Sequence, residues 1–126
     1  FKNLNKIKFF HEKGNFTYEG GFESAKKLLK KNITALFCAD DTMAFGCLDY
    51  IKKNTKLNVP KEIEVIGYDD ISTANWHSYN LTTIRQPIRQ MSKLVTQIID
   101  DNIKDPEFEP INHVIQGKFI YRNTTR

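Results

Sequence analysis

The residues best placed to do chemistry in this sequence are two aspartate pairs. Asp40-Asp41 closes the run Ile33-Thr34-Ala35-Leu36-Phe37-Cys38-Ala39, and Asp69-Asp70 closes Ile63-Glu64-Val65-Ile66-Gly67-Tyr68. Carboxylates at such positions suit two tasks: accepting hydrogen bonds from vicinal hydroxyls, and holding magnesium for phosphoryl transfer. Short apolar runs without period-2 alternation read as strands buried on both faces of a parallel sheet, and ligands of such sheets sit off the strands' carboxyl ends. Four carboxylates at one crevice edge persist only where hydroxyls, amides or cations satisfy them.

The elements that must position these pairs follow from the remaining pattern. Lys6 to Phe10 reads as a strand, and Gly14-Asn15 opens a polar loop before Gly20-Gly21. Phe22, Ala25, Leu28 and Leu29 then keep helical spacing up to Asn32. A second unit is the strand 33–39 and a helix from about Thr42 to Asn54, with Asp41 or Thr42 as candidate cap and Lys52-Lys53 complementing the helix dipole. The third is the strand 63–67, followed by a mixed stretch holding Trp76, His77 and Tyr79. This β-α-β-α-β order predicts a parallel sheet with flanking helices in three layers. Leu81 to Arg85 is a further strand candidate. Pro87 opens a helix whose Ile88, Met91, Leu94, Val95, Ile98, Ile99 and Ile103 form an apolar stripe. That stripe must be covered, because exposing it would forfeit roughly 10–20 kcal/mol. Asp105-Pro106 ends it, and a C-terminal hairpin is expected, 112–116 and 118–121 about Gln116-Gly117.

Composition narrows the function classes. The 126 residues fit one domain with an ordinary soluble make-up, 40% apolar and 27% charged, and no stretch approaches the ~20 apolar residues of a membrane span. A start at Phe1 without a signal-peptide pattern reads as a fragment. The net charge of +4 comes from scattered lysines, a solvated surface rather than a nucleic-acid face. Cys38 and Cys47 lie in apolar stretches and read as small buried hydrophobes of a reducing compartment. No G-x-S-x-G elbow, Walker loop or G-x-G-x-x-G occurs, and His11, His77 and His113 lack metal spacing, so neither an enzyme, a metal site nor a cofactor is expected.

Four motifs then carry a resemblance. Thr34-Ala35-Leu36-Phe37-Cys38-Ala39-Asp40-Asp41-Thr42-Met43-Ala44-Phe45-Gly46 resembles T-A-hydrophobic-F-x-x-N/D-D-x-M-A-x-G. Val59 to Asp70 resembles V-P-x-D/E-I-x-V-hydrophobic-G-Y/F-D-D/N, Leu81 to Pro87 is similar to L-T-T-hydrophobic-x-Q-P, and Tyr121 to Thr125 to hydrophobic-x-R-x-S/T-T. In this order they are similar to the effector-binding core of lactose/galactose-repressor (LacI/GalR) family transcriptional regulators, and Gly14 to Gly21 extends the match upstream.

The resemblance implies a periplasmic-binding-protein-like (type I) fold of two lobes. Residues 1–86 would be most of the C-terminal lobe, 87–111 a crossover helix belonging to the other lobe, and 112–126 strands returning to the first. The helix-turn-helix, the hinge helix, nearly all of the first lobe and an opening helix that often supplies an arginine to the ligand would lie outside this chain. Without that lobe, the helix 88–104 is expected to pack in a different position or against another chain.

Carried over residue by residue, the resemblance implies an effector site of Phe16, Asp40, Asp69, Gln86 and Ile88. Phe16 would cover an apolar ligand face, and Asp40 and Asp69 would accept from hydroxyls. Asp41 and Asp70 are read instead as cap and turn residues. A homodimer interface would use Phe45, Cys47, Leu48, Ile51 and His77, although the same helix residues could simply face the sheet.

The expected protein is thus a cytoplasmic repressor that senses a small molecule, with sugar the favoured class, and touches operator DNA only through its missing domain. A secreted sugar-binding protein of the same fold is the first alternative, nominally fitted by Asn-x-Ser/Thr sequons at Asn15, Asn32, Asn80 and Asn123. A magnesium-dependent receiver-like or phosphoryl-transfer domain is the second.

Overall fold

Residues 7–105, 107, 109 and 111–126 are described by the computed structural model. Helix α1 (Tyr18–Leu28) starts where Thr17 Oγ1 accepts from the Gly20 N–H at 3.0 Å and ends through a short 3-10 turn into Asn32, whose left-handed backbone closes the carboxyl end. Strand β1 (Ala35–Phe37) leads into α2 (Asp41–Asn54). Strand β2 (Glu64–Asp69) is joined to β3 (Thr82–Arg85) by a 3-10 turn at Ser72–Asn75, and α3 (Ile88–Lys104) and β4 (Lys118–Ile120) complete the order. The sheet runs β1-β2-β3-β4, parallel across the first three strands and antiparallel at β4. It is a mixed, mostly parallel sheet with flanking helices, so the carboxyl ends of β1, β2 and β3 share one edge.

The core lies where α2 packs on β2 and α1 packs on α2. Leu36, Phe45, Ile51, Ile63, Val65 and Leu81 fill it with Ala25, Ala44 and Ala74. The two helices approach through glycine: a Cβ on Gly46 would overlap the Tyr18 carbonyl, and one on Gly21 the Met43 carbonyl. Cys38 and Cys47 are buried free thiols with sulfurs 3.6 Å apart. The hydrogen bond to Cys47, then burial, pushes the Cys38 thiol up, so it stays protonated.

Four expectations are corrected. Lys6 lies outside the described residues, and Ile7 to Phe10 runs exposed beside β1 without joining the sheet. The hairpin does not form: 111–117 is irregular, Val114 is almost fully exposed, and β4 pairs with β3 instead. The cap of α2 is Asp40, whose Oδ1 accepts from the Met43 N–H at 2.7 Å, rather than Asp41 or Thr42. Finally, α3 does not pack elsewhere on this chain; none of its residues is buried, and Ile88, Met91, Val95, Ile99 and Ile103 face solvent. Its apolar stripe has no cover among the described residues.

Candidate functional site

The aspartate pairs flank the shared carboxyl edge of the sheet, and all four side chains accept hydrogen bonds from protein partners, Asp40 through one oxygen only. Asp41, fully buried in the first turn of α2, crosses β2 to accept from Thr83 Oγ1 of β3 at 2.6 Å and from the Ile71 N–H at 2.9 Å. It passes over Gly67, where a Cβ would overlap Asp41 Oδ1. Burial raises the Asp41 carboxyl above its ordinary value; the two hydrogen bonds oppose this and the Asp69 and Asp70 charges add to it.

Asp69, the last residue of β2, and Asp70 just after it both have positive φ, 113° and 57°, a conformation aspartate tolerates better than most residues. Asp69 Oδ1 accepts from Gln86 Nε2 beyond the end of β3. Asp70 accepts from Arg122 Nη2 at 2.6 Å and Arg85 Nε at 2.5 Å. Its burial would raise the carboxyl, but the two guanidinium groups outweigh that and hold it below the ordinary carboxylate value. Arg122 is anchored in turn by donating Nη1 to the Leu81 carbonyl at 2.7 Å.

Of the expected effector residues, Asp69 and Gln86 meet directly, and half-buried Asp40 stands at the end of β1 with one oxygen spent on the helix cap. Phe16 is 70% exposed and lines a hollow with Ala39 and Met43, next to Asp40 in the chain. Ile88 is exposed at the start of α3. The interface set divides. Phe45, Cys47 and Ile51 are buried in the core, Phe45 stacking on Tyr79 at 4.3 Å between ring centres, so they face inward rather than toward a partner. Half-buried Leu48 and exposed His77 share a groove with Asp49 and Tyr79. There Asp49 Oδ2 accepts from both Tyr18 and Tyr79, at 2.8 and 3.1 Å.

Arg85 and Arg122 were not singled out from the sequence, although Arg122 sits in the closing motif. Gly67 within an apolar run was the visible sign that something crosses the strand there. Among the described residues no group of three or more His, Cys, Asp or Glu could hold a metal ion.

Residues 3–125 match the family model described as a periplasmic binding protein-like domain. The chain belongs to the periplasmic binding protein-like domain family. Within that family it is a LacI/GalR-type C-terminal effector-binding region. It is 39% identical over 115 residues to the HTH-type transcriptional repressor PurR of Vibrio campbellii, covering 90% of this chain and 34% of that protein. A LacI family transcriptional regulator from Enterococcus faecium, solved with bound ribose, is 29% identical with a TM-score of 0.72, over 87% of this chain and 41% of that one. The lac repressor dimer bound to operator and the anti-inducer ONPF is 27% identical with a TM-score of 0.81, over 96% and 43%. The chain spans about a third of the length of the curated relatives it matches. No helix among the described residues is long and apolar enough to cross a membrane.

Proposed function

We propose that this chain is the effector-sensing part of a dimeric, cytoplasmic, non-enzymatic transcriptional repressor that binds a small sugar. The observation that carries this reading is the Asp69–Gln86 contact at the adjoining ends of β2 and β3, where a carboxylate and an amide stand side by side at the ligand edge of a parallel sheet. Asp69 and Asp40 would accept from sugar hydroxyls, Gln86 would donate, Phe16 would cover the apolar ring face, and Ile88 would close the edge. The repressor relatives favour this over a secreted binder. The separate partners of Asp41, Asp69 and Asp70 favour it over a magnesium-held phosphoryl site.

The domain layout belongs to the same proposal. Residues 1–86 and 112–126 form the C-terminal lobe, and 87–111 belongs to a second lobe that would cover the exposed stripe of α3. Closure of both lobes on the effector would bias the DNA-binding heads of the full-length protein by about 1–3 kcal/mol. Leu48 and His77 remain the interface candidates.

The test is calorimetry on the full-length protein with the best hit from a thermal-shift panel of neutral pentoses, hexoses and disaccharides. Asp69→Ala should weaken that hit about 10-fold to 150-fold, the size of one charged hydrogen bond. An unchanged affinity would remove Asp69 from the site. Residues 1–126 alone should not shift operator DNA, and a nanomolar, sequence-dependent shift would overturn that part.

A further inference from the structure

Beside the Asp69–Gln86 crevice lies a second hollow, lined by Asp70, Ile71, Ser72, Asn75, Arg85 and Arg122. Two guanidinium groups there share one carboxylate, and each Asp70 oxygen is already taken by one of them. The other nearby carboxylates are engaged elsewhere, Asp69 by Gln86 and Asp41 by Thr83 and the Ile71 N–H. The hollow's own lining thus carries two guanidinium groups and one carboxylate, and the Arg122 side chain is only 11% exposed, where solvent compensates a charge poorly.

Arg85 is the half-open member. Its Nε is pinned to Asp70 Oδ2, while among the described residues neither Nη atom has a partner, and its side chain is 55% exposed. A guanidinium fixed through Nε presents its Nη edge as a preformed fork, the geometry that takes a carboxylate or phosphate through two parallel hydrogen bonds. Ser72 and Asn75, likewise without side-chain partners among the described residues, add a hydroxyl and an amide to the same hollow.

We propose that this hollow is an oxyanion-binding site, in which Arg85 Nη1 and Nη2, with Ser72 and Asn75, hold a phosphate or carboxylate group. The anion could be free in solution or be the acidic group of a sugar-like effector whose body lies in the adjoining crevice. The site stands on the Arg85–Asp70–Arg122 arrangement and does not require the neutral-sugar reading.

Calorimetry and NMR of the Arg85 Nε–Hε resonance on this chain, at constant ionic strength in chloride, test it with inorganic phosphate, D-glucuronate and D-glucose. Phosphate should bind saturably near about 1 mM and move the Arg85 resonance. Arg85→Gln should weaken it by roughly 10-fold or more, and Arg85→Lys, which keeps the charge without the fork, by a smaller factor. Glucuronate binding with the same dependence, and glucose without it, would assign the anion to an acidic effector; phosphate alone would assign it to a free ion. Unchanged phosphate affinity in Arg85→Gln, or no response of Arg85 to either anion, would overturn the proposal.

Discussion

Asp41 and Thr83 are joined at 2.6 Å across the face of β2, with Gly67 between them, so that one buried carboxylate ties the start of α2 to the third strand of the sheet. The bond fixes the ends of β1, β2 and β3 relative to one another, which is what an effector site on that edge requires. Thr83→Val removes the hydroxyl and leaves a fully buried carboxylate with one hydrogen bond fewer, at a cost of about 1–3 kcal/mol. Gly67→Ala overpacks the same spot, with a similar loss of about 1–3 kcal/mol. Urea unfolding measures both, and a midpoint equal to wild type in either variant would refute this role for the crossing carboxylate.

The two buried carboxylates should respond to pH with opposite signs. Asp70 has its folded value lowered, so its contribution is present above the unfolded value of 3.8 and is lost as pH falls through the lower folded value. Asp41 has its folded value raised, so its contribution is full below 3.8 and is lost as pH rises through the higher folded value. Asp70→Asn should therefore reduce the loss of stability on acidification, and Asp41→Asn should remove a loss that develops as pH rises out of the acid range. Unfolding curves of both variants from pH 3 to 7 check the signs, and parallel profiles would contradict them.

How much of this was legible in the sequence depended on whether the signal was local. The strands before each aspartate pair and the helix expected from about Thr42 to Asn54 follow from apolar runs and helical spacing, and the structure has them, whereas the first strand of the expected β-α-β-α-β order does not join the sheet. The division of labour within each pair was not local. Asp41 and Thr42 are the local candidates to cap α2, and the approach of β3 makes Asp41 the inward member and leaves Asp40 as the cap. Asp70 is an ion-pair centre because Arg122, 52 residues away in the chain, returns to it. The hairpin expectation failed because Gln116-Gly117 offers a turn while 111–117 has no partner strand, and β4 found β3. Phe45, Cys47 and Ile51 are all buried around α2, and no sequence mark separates sheet from partner among them.

Asp49 accepts from two tyrosine hydroxyls, and this should be visible by titration. The hydrogen bond to Asp49 raises Tyr18 to about 12, with burial adding to the rise, while Tyr79 is raised first by burial and then by Asp49. Because the folded value of Tyr18 lies above its unfolded 10.0, the contact stabilises fully below pH 10 and is lost as pH rises through about 12. Asp49→Asn should bring the Tyr18 transition, followed by absorbance at 295 nm, down toward 10. A titration curve identical to wild type would mean that Asp49 does not hold that hydroxyl.

The uncovered stripe of α3 has a dynamic consequence. A 17-residue helix with no buried residue rests on its own propensity and a few side-chain pairs such as Lys104–Asp100, and isolated helices of this length are marginal in water. Helix α2, by contrast, buries Ala44, Phe45, Cys47 and Ile51 and opens only with the core. In the chain of residues 1–126, amide protons of α3 should exchange at least about 100-fold faster than those of α2, independently of protein concentration. Val95→Asp or Ile99→Asp should change the unfolding midpoint by less than the equivalent of about 0.5 kcal/mol, since both side chains are already in water. Protection of α3 equal to that of α2 would mean that its apolar face is covered after all, and protection that grew with concentration would identify a second copy as the cover.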